Sequence, residues 1–370
     1  AWASDDATLA ELQGHARRWL RTAAAQAIGR FEIDAALALL SDALRIVDEP
    51  WARVGVLISA ARAHALRFDG RGFRDAMEEA IKLTEIDADA ADLHSTLAFQ
   101  TLVRAGMWNP APGADVLEAW IEAALSGDGV RDRTRARALI ARGYSDEDKA
   151  IETITEAVEI AERIDDVSLR SYSYDVRVSR ELAFGSAATA YAWQEKRLAL
   201  MDDITDPDHR ADILMSAIAP ALSMGRIDEA RQHAHLLDEV TQPLSEHHRV
   251  HGVAGILEIE QLRGDWERVR RLQHRVETAV AGNPDTPCSL NPRSLLVLAV
   301  AQAHAGNERE TNRLVAAAHG YDLQGFGTMI DTALIQLALL RGDLDEVASR
   351  LGRPAIRRSN WVYLSSIATH

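Results

Sequence analysis

A chain of 370 residues that is 47% hydrophobic and 26% charged can fill two or three globular cores, or one stack that grows lengthwise. Its formal net charge of −15 argues against nucleic acid and anionic membranes as partners, because both call for clustered cations. A single cysteine, Cys288, excludes an internal disulfide framework and any multi-cysteine metal site, and a reducing cytoplasm is the expected setting.

The first residues, Ala1-Trp2-Ala3-Ser4-Asp5-Asp6, have neither a basic nor an apolar stretch, so they are not read as a signal peptide. Without an initiator methionine they read as the trimmed edge of a longer protein. No apolar run approaches the roughly 18–20 residues that cross a bilayer. Much of the apolar content is Ala and Leu, both strong helix formers, and nothing reads as a run of strands. The expected class is all-α.

In chain order, a helix is expected over Ala7–Ile28, with Ser4 or Asp5 as its cap. A second runs to about Val47. Pro50 suits the first turn of a third, which reaches Phe68, where Asp69-Gly70 breaks it. Gly72 opens the fourth. Ala88–Met107 and Asp115–Leu125 are split by the loop Trp108–Gly113. Arg131–Arg142 and Asp146–Ile164 form the next pair, followed by Val167–Phe184 and Ala187–Met201. Beyond these, first helices are apolar nearly all round, as in Leu295–Ala301 and Ala333–Leu340. Second helices are amphipathic, with Ile227, Ala230, Ala234, Leu237 and Val240 in one and Trp266, Val269, Leu272, Val276 and Val280 in the next. One helix of each pair should therefore be sandwiched between neighbours while its mate shows a face to water. Loops are expected over Asn283–Pro292 and Tyr321–Gly327, and a terminal helix over Asn360–Thr369.

A short phrase recurs through this stretch, at Gly225–Ala230, Gly264–Val269, Gly306–Thr311 and Gly342–Val347, with glycines 39, 42 and 36 residues apart. Each copy ends an apolar helix and opens an amphipathic one, which is the mark of stacked helical repeats. Gly29 and Gly70 fit the phrase with one residue of slack. The pattern resembles the tetratricopeptide repeat, best at Gly225 and Ala230, then at Gly264 and Gly342, and in the glycine alone at Gly306. The period exceeds the 34 residues of that family, and its Trp, Tyr and closing Pro positions are mostly missing. In this degenerate form the chain looks like the helical-repeat portions of large bacterial signalling proteins, the LuxR-type ATP-dependent activators and their cyclase- or ATPase-linked relatives.

The resemblance implies one right-handed α-solenoid of antiparallel helix pairs over 1–370. Repeats would be degenerate over 1–205 and clearer over 206–351, with a terminal or truncated helix over 352–370. It implies that each turn glycine is left-handed, and that the chain is a non-enzymatic scaffold without cofactor. The expected partner is a protein or peptide, or another domain of the same polypeptide. A solenoid that senses a small molecule is the alternative. No P-loop and no DNA-reading motif is present.

Four constellations could carry chemistry. Asp202, Asp203 and Asp206 match a D-D-x-x-D magnesium–diphosphate pattern, but Asp206-Pro207-Asp208 reads better as a helix start. His247 and His251, four apart, share a helix face as a metal pair would, but His233 and His235 point apart and a third ligand is not assured, so exposed polar positions around a repeat turn are the better reading and no metal is expected. Arg170, Tyr174 and Arg177 share a face of one helix, with Arg180 adjacent. They could grip an acidic peptide or a phosphorylated ligand, or simply pair with neighbours such as Glu181. Cys288 has no His and acid near it in sequence and reads as a quiet, partly buried thiol.

Overall fold

The computed structural model describes residues 6–352, apart from 109, 128, 146–149, 285 and 322–329. Every regular element among them is helical. In order these are α1 (Asp6–Gly29), α2 (Ile33–Arg45), α3 (Pro50–Leu66), α4 (Gly70–Lys82), α5 (Asp87–Val103), α6 (Ala114–Leu125), α7 (Asp132–Ser145), α8 (Ala150–Arg163), α9 (Val167–Phe184), α10 (Ala187–Leu198), α11 (Pro207–Ser223), α12 (Ile227–Thr241), α13 (Glu246–Leu262), α14 (Trp266–Arg271), α15 (Gln273–Ala281), α16 (Leu290–His304), α17 (Glu308–Ala318), α18 (Asp331–Arg341) and α19 (Leu344–Leu351), with short 3-10 turns at Ala105–Met107 and Met201–Asp203. The expected caps Ser4 and Asp5, the helix start at Asp146, most of the loop at 321–327 and the helix at 360–369 lie outside the described residues.

The chain forms two compact units, Ala1–Ile164 and Asp165–His370. In the first, α1 pairs with α2, α3 with α4, α5 with both α6 and α7, and α7 with α8. Its core gathers Ala24, Ala27, Leu40, Val56, Ala63 and Leu66. In the second, α9, α11, α13, α16 and α18 touch in succession and form an inner row. The mates of these helices, α10, α12, the broken helix α14–α15, α17 and α19, make up the outer row. Burial follows the expected division of labour. Every residue of α16 from Leu290 to Ala301 is buried, whereas α17 buries only Thr311, Leu314 and Ala318. Each fully buried Leu or Val contributes about 1.5–3 kcal/mol, so the inner row supplies most of the cohesion.

The turns explain how one phrase builds the last four pairs of the second unit. Gly225, Gly264, Gly306 and Gly342 all have φ between 68° and 74°. Each closes its helix with the same two backbone bonds. At Gly225, its own N–H donates to Leu222 O at 3.0 Å, and Arg226 N–H donates to Ala221 O at 2.9 Å. This is the left-handed cap in which glycine avoids a Cβ clash. After three of the four glycines the following residue caps the next helix with its side chain. Asp265 accepts from Arg268 N–H at 3.0 Å, and Asp343 from Glu346 N–H at 3.0 Å.

In the first unit the register differs from expectation. Gly29 is the last residue of α1 and Gly70 the first of α4, and neither has positive φ. The left-handed position is taken by Phe31 and Phe68, both at φ 60° and 37 residues apart. Their bonds reproduce the glycine turns: Glu32 N–H donates to Ala27 O, and Asp69 N–H to His64 O, both at 2.9 Å. A phenylalanine tolerates this backbone here because its ring gains contacts. Phe31 packs on the core of the unit, and Arg104 lies 5.9 Å over the Phe68 ring.

Two further boundaries moved. The loop expected to reach Pro292 ends earlier, because Pro292 sits in the first turn of α16, where its missing N–H costs nothing. The helix expected to run unbroken from Trp266 is interrupted at Leu272, although Val269, Val276 and Val280 still fall on one buried stripe.

Candidate functional site

The inner row of the second unit carries an unusual number of buried polar side chains. Unpaired, such groups would be costly, so their partners define what the row can do. Arg197, from α10, reaches inward with no exposed surface and pairs with Asp175 on α9 and Asp212 on α11, as well as the Ser216 hydroxyl. Its Nε donates to Ser171 Oγ at 3.2 Å. Ser171 Oγ also lies 2.9 Å from His209 Nε2, and the His209 ring stacks on Tyr172 at 4.2 Å. Burial, then the Arg197 charge, pushes the His209 imidazole down to about 4, against the pull of Asp206, Asp208 and Asp175. His209 is therefore a neutral hydrogen-bonding group at neutral pH.

One helix further on, His248 Nε2 lies 2.7 Å from Asp208 Oδ1, and its Nδ1 lies 2.7 Å from Ser245 Oγ. His247 and His251 project from the same helix, with ring centroids 4.4 Å apart. Cys288, inside the loop expected from sequence and just ahead of α16, brings its Sγ to 3.4 Å from His251 Nε2. The donor atoms of His247, His251 and Cys288 all fall within 4.8 Å of one another. Desolvation dominates here as well. It pushes the His251 imidazole down to about 4, with help from nearby His248, and the Cys288 thiol up to about 11, although the backbone amides of Leu290 and Asn291 pull the thiol back. A thiol that keeps its proton beside an imidazole that refuses one is not an activated nucleophile. All three atoms are of kinds that can ligate a metal ion.

The row continues with Glu258 and Arg293, paired at 3.2 Å, and Gln261 and Gln336, hydrogen-bonded at 2.9 Å. Glu258, Gln261, Arg293 and Ser294 line a cavity of about 10 Å³, room for a single water.

The residues singled out in sequence fall as follows. Arg170 pairs with Asp165 at 3.2 Å, and Tyr174 is buried against Trp193 at 5.3 Å between rings. Arg177 joins Glu181 at 3.0 Å and lies 5.8 Å over the Trp193 ring, while Arg180 lies 6.0 Å over Phe184. The face is thus engaged within its own unit. Asp202 and Asp203 are exposed in a 3-10 turn, and Asp206 caps α11 by accepting from Asp208 N–H at 3.1 Å. Ala230 is fully buried at the second-helix position where a small side chain lets α11 and α12 approach.

Sequence reasoning missed two features. One is Cys288 as the third member of the histidine pair. The other lies in the first unit, where large apolar side chains stand in water. Trp51 and Ile58 on α3 are 72% and 40% exposed, and Leu12 and Trp19 on α1 are 53% and 73% exposed. Each pair is seven apart, hence on one helix face. Arg17 holds the Trp51 ring at 5.2 Å and is itself fixed by Glu49 at 3.2 Å. Compared with known proteins, the chain matches no family model and no curated protein.

Proposed function

We propose that the chain is a non-enzymatic scaffold, a right-handed solenoid of antiparallel helix pairs akin to tetratricopeptide arrays, that binds a protein or peptide partner. The observation that carries this reading is the exposed face of α3, where Trp51 stands 72% exposed under an arginine already held in place. Trp and Arg are the side chains that dominate protein interfaces, and a large indole left in water gains most from being covered. Its ordering by Arg17 and Glu49 lowers the entropy lost on binding. Contacts between successive helices favour an extended surface of this kind, and that part of the reading rests on analogy of architecture. The cavity beside Arg293, at about 10 Å³, has room for one water and is too small for the metabolite of the small-molecule alternative.

The test is a photo-crosslinker at Ile58 on the full chain, followed by purification of the labelled partner and titration against variants. Trp51→Ala should weaken its binding at least tenfold, about 1.4 kcal/mol. A partner that binds Trp51→Ala and wild type equally would overturn this assignment of the face. A metabolite that raises Tm, with no protein labelled, would move the reading to a sensor.

A further inference from the structure

We propose that His247, His251 and Cys288 form a binding site for a zinc-class metal ion that clasps α13 to the start of α16. Three observations support it. The two imidazoles come from one helix at a spacing of four, which turns both toward a single point. The thiol arrives from the segment just ahead of the next inner helix and already lies 3.4 Å from His251 Nε2. In a tetrahedral zinc site with Zn–N and Zn–S bonds of ordinary length, nitrogen and sulfur are about 3.5 Å apart. The third observation is the closeness of the whole set: its donor atoms sit within 4.8 Å of one another.

The donor chemistry selects the ion. Two neutral imidazoles and one sulfur suit zinc or a softer ion and are a poor match for magnesium or calcium, which take oxygen ligands. His247 and Cys288 are buried, at 3% and 4% exposure, so the ion would be largely shielded from water. On binding, the Cys288 S–H bond breaks, a metal–sulfur bond forms, and the proton leaves to solvent without any change of oxidation state. The resulting thiolate is met by the backbone amides of Leu290 and Asn291 at the N-terminus of α16, where negative charge is favoured. Three protein ligands leave the fourth position of a tetrahedral ion to water or an incoming group.

The test uses the full chain, freed of metal with a chelator, and Co²⁺ as the probe. A thiolate-to-cobalt charge-transfer band should appear, saturate at about one ion per chain, and vanish when Zn²⁺ displaces the cobalt. Cys288→Ser should abolish the band and weaken Zn²⁺ binding at least about 100-fold, and His251→Gln should weaken it comparably while keeping the sulfur. Circular dichroism and Tm of the metal-free variants separate loss of a ligand from loss of fold. His235→Ala, an exposed histidine of α12, should leave the band unchanged. Cobalt that binds without the thiolate band, or a band that Cys288→Ser retains, would overturn the proposal.

Discussion

At the scale of single residues, the turn glycines isolate one physical term. A Cβ built on Gly225 meets nothing within 4 Å, although its φ is +71°. Gly225→Ala should therefore cost only the left-handed backbone penalty, about 1–2 kcal/mol, read as a lower Tm and a lower ΔG of unfolding. Phe31 and Phe68 carry the same penalty in the wild type and offset it with ring contacts. His209 isolates a second term. Its folded-state imidazole sits at about 4 because burial and the Arg197 charge oppose protonation, against Asp175 on α9 and Asp206 and Asp208 beside it. Above pH 6.5 neither state is protonated and burial of the ring costs no charge. Below it the unfolded chain takes up a proton that the folded one refuses until about pH 4. Stability should fall through that window by up to about 3 kcal/mol for this group. His209→Gln should remove close to one proton from the slope of ΔG against pH, measured by urea titration between pH 7 and 4.5. An unchanged slope would show that the ring is not the group that refuses the proton.

At the scale of elements, α12 and α13 approach as closely as their backbones allow. A Cβ on Gly252 would lie 3.0 Å from Asp238 Cα and 2.4 Å from Thr241 Oγ1. Because one neighbour is backbone, α13 would have to slide. Gly252→Ala should cost about 1–3 kcal/mol, as a lower urea midpoint at unchanged m. Most helices were legible in the sequence because their ends carry local chemistry. Asp69, Asp206, Asp265, Asn307 and Asp343 each cap a helix with the side chain. The turns at Phe31 and Phe68 were not legible, because nothing local favours an aromatic residue at positive φ. Only tertiary packing makes it tolerable, and the glycine phrase points to Gly29 and Gly70 instead.

At the scale of the whole molecule, the candidate site was half legible. The spacing of His247 and His251 is plain, but Cys288 lies 37 residues from His251, beyond the reach of helix periodicity. That distance is one period. The same separation recurs along the second unit: 38 residues between Ser171 and His209, 40 between Asp208 and His248, 38 between Tyr191 and Glu229, 37 between Arg275 and Asp238, and 36 between Arg313 and Glu277. A period read from glycines could have been applied to the polar residues as well, and it would have placed the thiol beside the imidazole. The exposed tryptophans were beyond such reading, because a scattered Trp in sequence does not reveal whether its face is covered. The ladder of bonds one period long also bears on how this chain can change in length. Removing or inserting a few residues within a helix of the second unit would set each donor against the wrong acceptor in the neighbouring pair. Removing or inserting a whole pair would leave the remaining rungs in step. Length here comes in quanta, and splices of this region should be cut from one left-handed turn to the next.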